Sequence, residues 1–306
     1  MRNAFANEIT KISKKNKKII LLSGDIGNKL FNLYKKQNKN RFINCGVAEA
    51  NMTTVAAGLA YAGYLPITYT IASFNVYKTL EQIKLDICYH NLPVVIVGVG
   101  SGLGYSNLGT THHSIEDIGV LSPISNLNII CPADQKELIR LLPQIVKSKK
   151  PTYLRLGKKN ENQIYEKNCK SKLGDPNILQ KGKDICIIGT GNILYNALKA
   201  CKKLNKKVKP HIVNIHTIKP INRIKIIKIL KKFKKIIILE EHVETGGLTS
   251  LLMKLSGENK IKNQFISHNT GNKFLIGLGD KINSRKRVKL DDLSIQKSIL
   301  KLYDKK

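Results

Sequence analysis

The chain has 306 residues, 42% of them hydrophobic, which suits a folded protein with two cores of ordinary size and argues against a disordered one. No apolar run reaches the ~18 residues of a membrane span. The segment Met1–Phe5 opens an amphipathic helical pattern rather than the apolar core of a signal peptide, so a cytoplasmic location is expected.

The formal charge is +32, from 53 Lys and Arg against 21 Asp and Glu. Such a charge attracts phosphates, and a basic nucleic-acid-binding protein is one reading. The lysines, however, are scattered along the whole length in pairs such as Lys14-Lys15, Lys149-Lys150 and Lys231-Lys232. They accompany abundant Ile and Asn, and no aromatic-and-basic RNA motif occurs. That distribution favours AT-rich coding bias and a solvated surface. An acidic partner chain would use the same charge.

The elements alternate strand and helix. Lys18 to Ser23 reads as a buried strand and Arg41 to Cys45 as a short one. A helix of small residues runs from Ala48 to about Tyr61, with Gly63 placed to end it. Pro66 to Ile71 is the next strand, Phe74 to His90 a long helix, and Pro93 to Val99 a continuous apolar strand of the kind covered on both faces. Asn128 to Cys131, a helix over 133–146 and Thr152 to Leu156 complete the first unit. A polar stretch without periodicity follows. A second alternating unit has strands at 184–189, 209–214, 235–240 and 263–266. The expected fold is α/β, with two consecutive parallel-sheet domains at 1–160 and 181–306 joined by a linker at 161–180. The six cysteines form no CxxC pair and are expected as reduced thiols, with no zinc site.

Several segments stand in one order: Ser23-Gly24-Asp25, GVAEANM (46–52), SFNVYKTLEQIKLD (73–86), GVGSGLGYSNLGTTHH (98–113), CPAD (131–134), YLRLGKK (153–159), EEH (240–242) and GGLTS (246–250). As an ordered set they resemble the C-terminal half of transketolase, most of all the stand-alone C-terminal subunits of split transketolases. The resemblance runs from near residue 5 to near residue 300. It implies a pyrimidine-binding domain for thiamine diphosphate, followed by a transketolase C-terminal domain. It also implies transfer of a two-carbon ketol unit between sugar phosphates.

Taken alone, Glu49 is a carboxylate at a helix start, where the helix dipole favours it. In the family the matching Glu bonds a ring nitrogen of the aminopyrimidine and promotes loss of the thiazolium C2 proton. The resemblance therefore makes Glu49 catalytic as well as cofactor-binding. Phe74 and Tyr77 are three apart and share a helix face; spacing alone fits core packing equally well. In the family an aromatic pair so spaced flanks the pyrimidine, and Tyr in place of Phe at 77 needs a partner for its hydroxyl. Asp25 and Ile26 match the Asp-aliphatic pair bordering the cofactor, although Asp25 also suits a turn. The resemblance gives His112 the role of reaching substrate hydroxyls, and puts His113 where the family varies. Lys158 matches a basic residue that binds the substrate's terminal phosphate or carboxylate, without the bidentate fork of Arg. Leu108 replaces an acidic sugar-contacting residue, and an upstream His is missing at Val99 or Gly100. Both departures point away from ordinary pentose and hexose phosphates.

The family holds the diphosphate through a metal on a Gly-Asp-Gly motif with a downstream Asn, and no Gly-Asp-Gly occurs in this sequence. The implied assembly is α2β2. A separate N-terminal subunit would carry the diphosphate site and Mg²⁺ (or Ca²⁺), and this chain would pair with its own copy. No metal ligand is expected here, and EEH with Gly246-Gly247 is expected to stabilise the assembly. The rival enzymes sharing this domain pair are β subunits of 2-oxo acid dehydrogenases, which lack the THH loop, and deoxyxylulose-phosphate synthase, a single long chain.

Overall fold

The computed structural model describes residues 1–166, 169–205, 207–277 and 279–304. Two mostly parallel sheets, each flanked by helices, carry the chain. The strands are β1 Ile19–Ser23, β2 Phe42–Asn44, β3 Leu65–Ile71, β4 Val95–Val99, β5 Asn128–Ile130, β6 Thr152–Leu156, β7 Asn177–Gln180, β8 Ile185–Gly189, β9 His211–Asn214, β10 Thr217–Lys219, β11 Lys235–Leu239 and β12 Gln264–His268. The first sheet has the order β10-β5-β6-β4-β3-β1-β2 and the second the order β12-β11-β8-β9-β7. Strands β1, β4, β6 and β8 are buried along their whole length, which is why they read as continuous apolar runs. Among the described residues no helix is long and apolar enough to cross a membrane, and all six cysteines are free thiols.

Three features depart from the sequence expectation. The helix expected over 74–90 is broken into Ala72–Tyr77, the single turn Leu80–Gln82 and a π-helical stretch Ile83–Tyr89. Thr79 interrupts it: its backbone leaves the helical region and its hydroxyl donates to the Asn75 carbonyl at 2.7 Å. That back-bond competes with the regular ladder. The segment read as a linker ends in β7, whose residues pair antiparallel with β9; Lys167 and Asn168 of that segment lie outside the described residues. Lastly, β10 comes from the second half of the chain but pairs antiparallel with β5 on the edge of the first sheet.

The halves share more than that strand. One hydrophobic cluster runs from Ile20, Ile96 and Ile129 to Ile188, Val213 and Ile238. Buried charges also cross between them. Arg155 on β6 donates from Nε to Asp117 at 2.8 Å and from Nη2 to the carbonyls of Ser114 and Glu241, each at 3.0 Å. Glu241 in turn accepts from Arg285 at 2.6 Å. Burial alone would raise the Glu241 carboxyl, but the charges of Arg285 and Lys281 bring it down to about 2. His242 accepts from the Gly119 amide at 3.0 Å. The EEH motif is thus bonded inside the chain.

Candidate active site

The site forms where the C-terminal ends of the first sheet's strands meet the helix Glu49–Tyr61 and the loop after β4. The helix EANMTTVAAGLAY is built of small residues and buries Met52, Thr53, Ala56, Ala57 and Ala60. It ends as the sequence suggests. Gly63 takes φ +84°, its amide reaches the Ala60 carbonyl at 3.0 Å, and the Tyr64 amide reaches Leu59 at 3.1 Å. This pair of bonds is the Schellman arrangement. Glu49 is its first residue and is only 3% exposed. Among the described residues its ion-pair partner is Lys78, with Nζ 3.4 Å from Oε2. Gly24, just past β1, packs beside it: a Cβ there would meet Thr70 at 3.0 Å and Glu49 Cγ at 3.7 Å.

The short helix Ala72–Tyr77 is pinned by Asn75, which is buried and donates to the Val97 carbonyl at 3.0 Å. Phe74 is left half-buried and Tyr77 39% exposed. The Tyr77 hydroxyl has the partner it needs, since it donates to Glu116 Oε2 at 2.6 Å and accepts from the Glu116 amide at 3.2 Å. Ser73 donates to the Thr111 carbonyl at 3.2 Å and so ties this helix to the glycine-rich loop.

That loop folds back on itself, with Gly102 and Ser114 bridged as an antiparallel pair. Gly100 is required at its turn. Its φ is +76°, and a Cβ would lie 1.9 Å from the Tyr105 ring. The two histidines part company. His113 is buried, with Nε2 3.4 Å from the Ser106 carbonyl. His112 is half-buried, and its ring meets Phe74 edge-on at 5.1 Å between centroids and Tyr105 at 6.0 Å. Its Nδ1 bonds Thr111 Oγ1 at 2.9 Å. Desolvation first, then the charges of His113 and Lys158, lower the His112 pKa, which favours the neutral imidazole. Lys158 stands with Nζ 4.1 Å from the Tyr105 ring centroid. Its pKa is lowered by desolvation and by the nearby charges of Lys159 and Arg2.

Contacts therefore run in one series from Glu49 through Lys78, Phe74, His112 and Tyr105 to Lys158. Asp25 and Ile26 follow Gly24 in the turn after β1. Asp25 is exposed at φ +53° and locked to Asn44, whose Nδ2 donates to it at 2.9 Å. Ile26 is half-buried, and its carbonyl accepts from Ser23 Oγ at 2.6 Å. Sequence reasoning overlooked Lys78, Tyr105 and Glu116. Lysines are too frequent here for one to stand out, and Tyr105 is hidden among glycines. Arg155, noted beside Lys158 in sequence, is buried and structural.

The family models decide the identity. The transketolase pyrimidine-binding domain matches residues 1–163, and the transketolase C-terminal domain matches 174–267. The chain belongs to the transketolase family. This transketolase chain is 31% identical over 263 residues to an apulose-4-phosphate transketolase chain of Phocaeicola vulgatus, a match covering 85% of this chain and 84% of that one. It is 30% identical over 261 residues to the 6-deoxy-6-sulfo-D-fructose transketolase subunit SqwH of a Clostridium species, covering 85% and 81%. It superposes at TM-score 0.87 on a split-gene transketolase solved as an inactive β4 tetramer, with 25% identity over 98% of this chain and 97% of that one. It is thus a transketolase subunit of the split, C-terminal type, in a thiamine-diphosphate-dependent family.

The residues fit an aminopyrimidine. Glu49 offers a nearly buried carboxylate, Phe74 a half-buried ring, and Val47 beside Glu49 an apolar edge that is 73% exposed. A flat, weakly basic ring needs one acceptor and an apolar face, and both are present.

Proposed function

We propose that this chain, joined to a separate N-terminal subunit that supplies the diphosphate and Mg²⁺ site, transfers a two-carbon ketol unit between sugar phosphates. The observation that carries this is the run of contacts that links Glu49, through Lys78, to Phe74 and His112. When bound, thiamine diphosphate supplies the electron sink needed to break a carbon–carbon bond beside a ketone. Glu49 would share a proton with a ring nitrogen, an exchange favoured where water is scarce. Phe74 and Tyr77 would flank the ring, and Asp25 and Ile26 would border it. His112, with Nδ1 held by Thr111, would present Nε2 to a substrate hydroxyl. Lys158 would take the terminal phosphate.

Leu108, 47% exposed with Asn107 adjacent, stands where the family carries an acidic sugar contact, which supports a subsite without that charge. A modified sugar suits it, and the two relatives above are named for such substrates. Self-association is supported by an exposed apolar face comprising Val55, Tyr61, Leu85 and Tyr89. The solved split-gene relative, a tetramer of β chains, supports it as well.

The test is to co-express the chain with a neighbouring open reading frame bearing Gly-Asp-Gly and a downstream Asn. Thiamine-diphosphate-dependent transfer is then assayed over a panel of ketoses, their phosphates and sulfonated analogues. Transfer by the pair and not by either chain alone is expected. A pair that binds thiamine diphosphate yet transfers no ketol unit would overturn the assignment.

A further inference from the structure

Among the described residues, Lys78 contacts two groups assigned above to the cofactor ring. Its Nζ is 3.4 Å from Glu49 Oε2 and 4.9 Å from the centroid of the Phe74 ring. Aromatic rings that stack do so at roughly 4.5–7 Å between centroids. An ammonium over the Phe74 ring at 4.9 Å therefore stands at the distance a partner ring would take. The same ammonium donates to the carboxylate that would bond the ring nitrogen. The ammonium at the far end of the series, Lys158, stands over Tyr105 instead.

We propose that Lys78 is a tethered stand-in for the aminopyrimidine: its ammonium fills the ring's place between Glu49 and Phe74 in the cofactor-free chain and swings out as the cofactor enters. The geometry allows the motion. Lys78 caps the helix Ala72–Tyr77 at its C-terminal end, and its side chain is 54% exposed on a flexible four-carbon stem. The device has a physical use. A carboxylate buried without a counter-charge is costly, and Lys78 removes that cost until a ligand arrives. It also sets a threshold, because the ion pair and the cation–π contact must be given up on binding. The inference rests on the functional reading above, in that Glu49 and Phe74 are taken as the cofactor's contacts.

The test is calorimetric titration of thiamine diphosphate with Mg²⁺ into the reconstituted two-subunit complex. Wild type is compared with Lys78→Met and with Lys78→Gln, which keeps a polar head should the apolar variant fold poorly. Both substitutions remove the stand-in, so the cofactor should bind about tenfold tighter, the combined scale of one exposed ion pair and one cation–π contact. A merely structural role for Lys78 would not tighten binding. Unchanged affinity overturns the proposal. Weaker affinity also overturns it and would mean that Lys78 holds Glu49 in place for the cofactor. If the wild-type complex binds no thiamine diphosphate, the functional reading fails and this inference with it. Wild-type binding without tightening in the variants defeats the Lys78 proposal alone.

Discussion

Each half of this chain buries a carboxylate beside the start of a helix, and the two are used in opposite ways. Glu49 opens the helix Glu49–Tyr61 and is paired with one half-exposed lysine. Glu240 follows β11 and meets the helix Leu248–Glu258, where it accepts from the amides of Leu248 at 2.7 Å and Thr249 at 2.8 Å and from the Thr249 hydroxyl at 2.5 Å. Its neighbours Glu241 and His242 are bonded to Arg285 and to the Gly119 amide. Position in an α/β fold thus does not make a site. A carboxylate engaged on both oxygens by a helix terminus has little capacity left for a ligand, whereas one held by a flexible ammonium keeps its capacity for exchange.

Breaking the first of these carboxylates should cost function and leave the fold. For Glu49→Ala, turnover by the reconstituted pair should fall by at least about a hundredfold, the scale of a positioned proton-sharing group. The melting temperature of the chain should stay close to wild type. Near-normal turnover would remove Glu49 from the chemistry. Breaking the second set should do the reverse. Glu241→Ala strands Arg285 in the interior and should cost about 3 kcal/mol in urea unfolding. Turnover per folded complex should change little, and an unshifted unfolding midpoint would count against the buried pair. The pH sign follows from the lowered carboxyl. The stabilisation is complete above the unfolded carboxyl pKa, ~4.3, and is lost as pH falls toward about 2. Acid unfolding of the wild type should therefore be steep in that window and shallower in the variant.

Two smaller effects sharpen the picture among the proposed site residues. Tyr77→Phe deletes the bond to Glu116 and should cost about 1 kcal/mol of stability. Turnover should be retained, since the ring rather than the hydroxyl is assigned to the cofactor; a large loss of turnover would reassign the residue. Lys158→Ala removes one of the charges that lower the His112 pKa. That pKa should rise, and the acid limb of the kcat/KM profile should move to higher pH by a fraction of a unit. An acid limb that stays put, or moves down, would separate His112 from the observed titration.

The strands were legible from sequence where both faces are covered, because continuous apolar runs such as PVVIVGV leave little choice of register. The break at Thr79 was not, since the apolar spacing of 74–90 continues through it and the interruption is one hydroxyl's choice of partner. Strand β7 was hidden in a polar stretch, with exposures that carry no period. Glu49, Phe74 and His112, the residues proposed for the site, could be singled out because a motif surrounds each. Lys78 was not, because its significance lies in two distances rather than in its identity. Asp25 was left open between cofactor border and turn residue. The structure shows the turn plainly in its left-handed backbone and its bond to Asn44.

The strand β10 gives the chain a topology that its two-part sequence conceals. Residues 217–219 are reached only after the linker and three strands of the second sheet, yet they close the edge of the first. The Cys131 amide donates to the His216 carbonyl at 2.6 Å, and Lys219 reaches back to the Ser122 carbonyl at 2.8 Å. A nick in the linker would therefore not part the two halves, because β10 of the second half stays paired in the first sheet. The first half produced by itself would bare β5 as an unpaired edge, the kind of surface that recruits other chains.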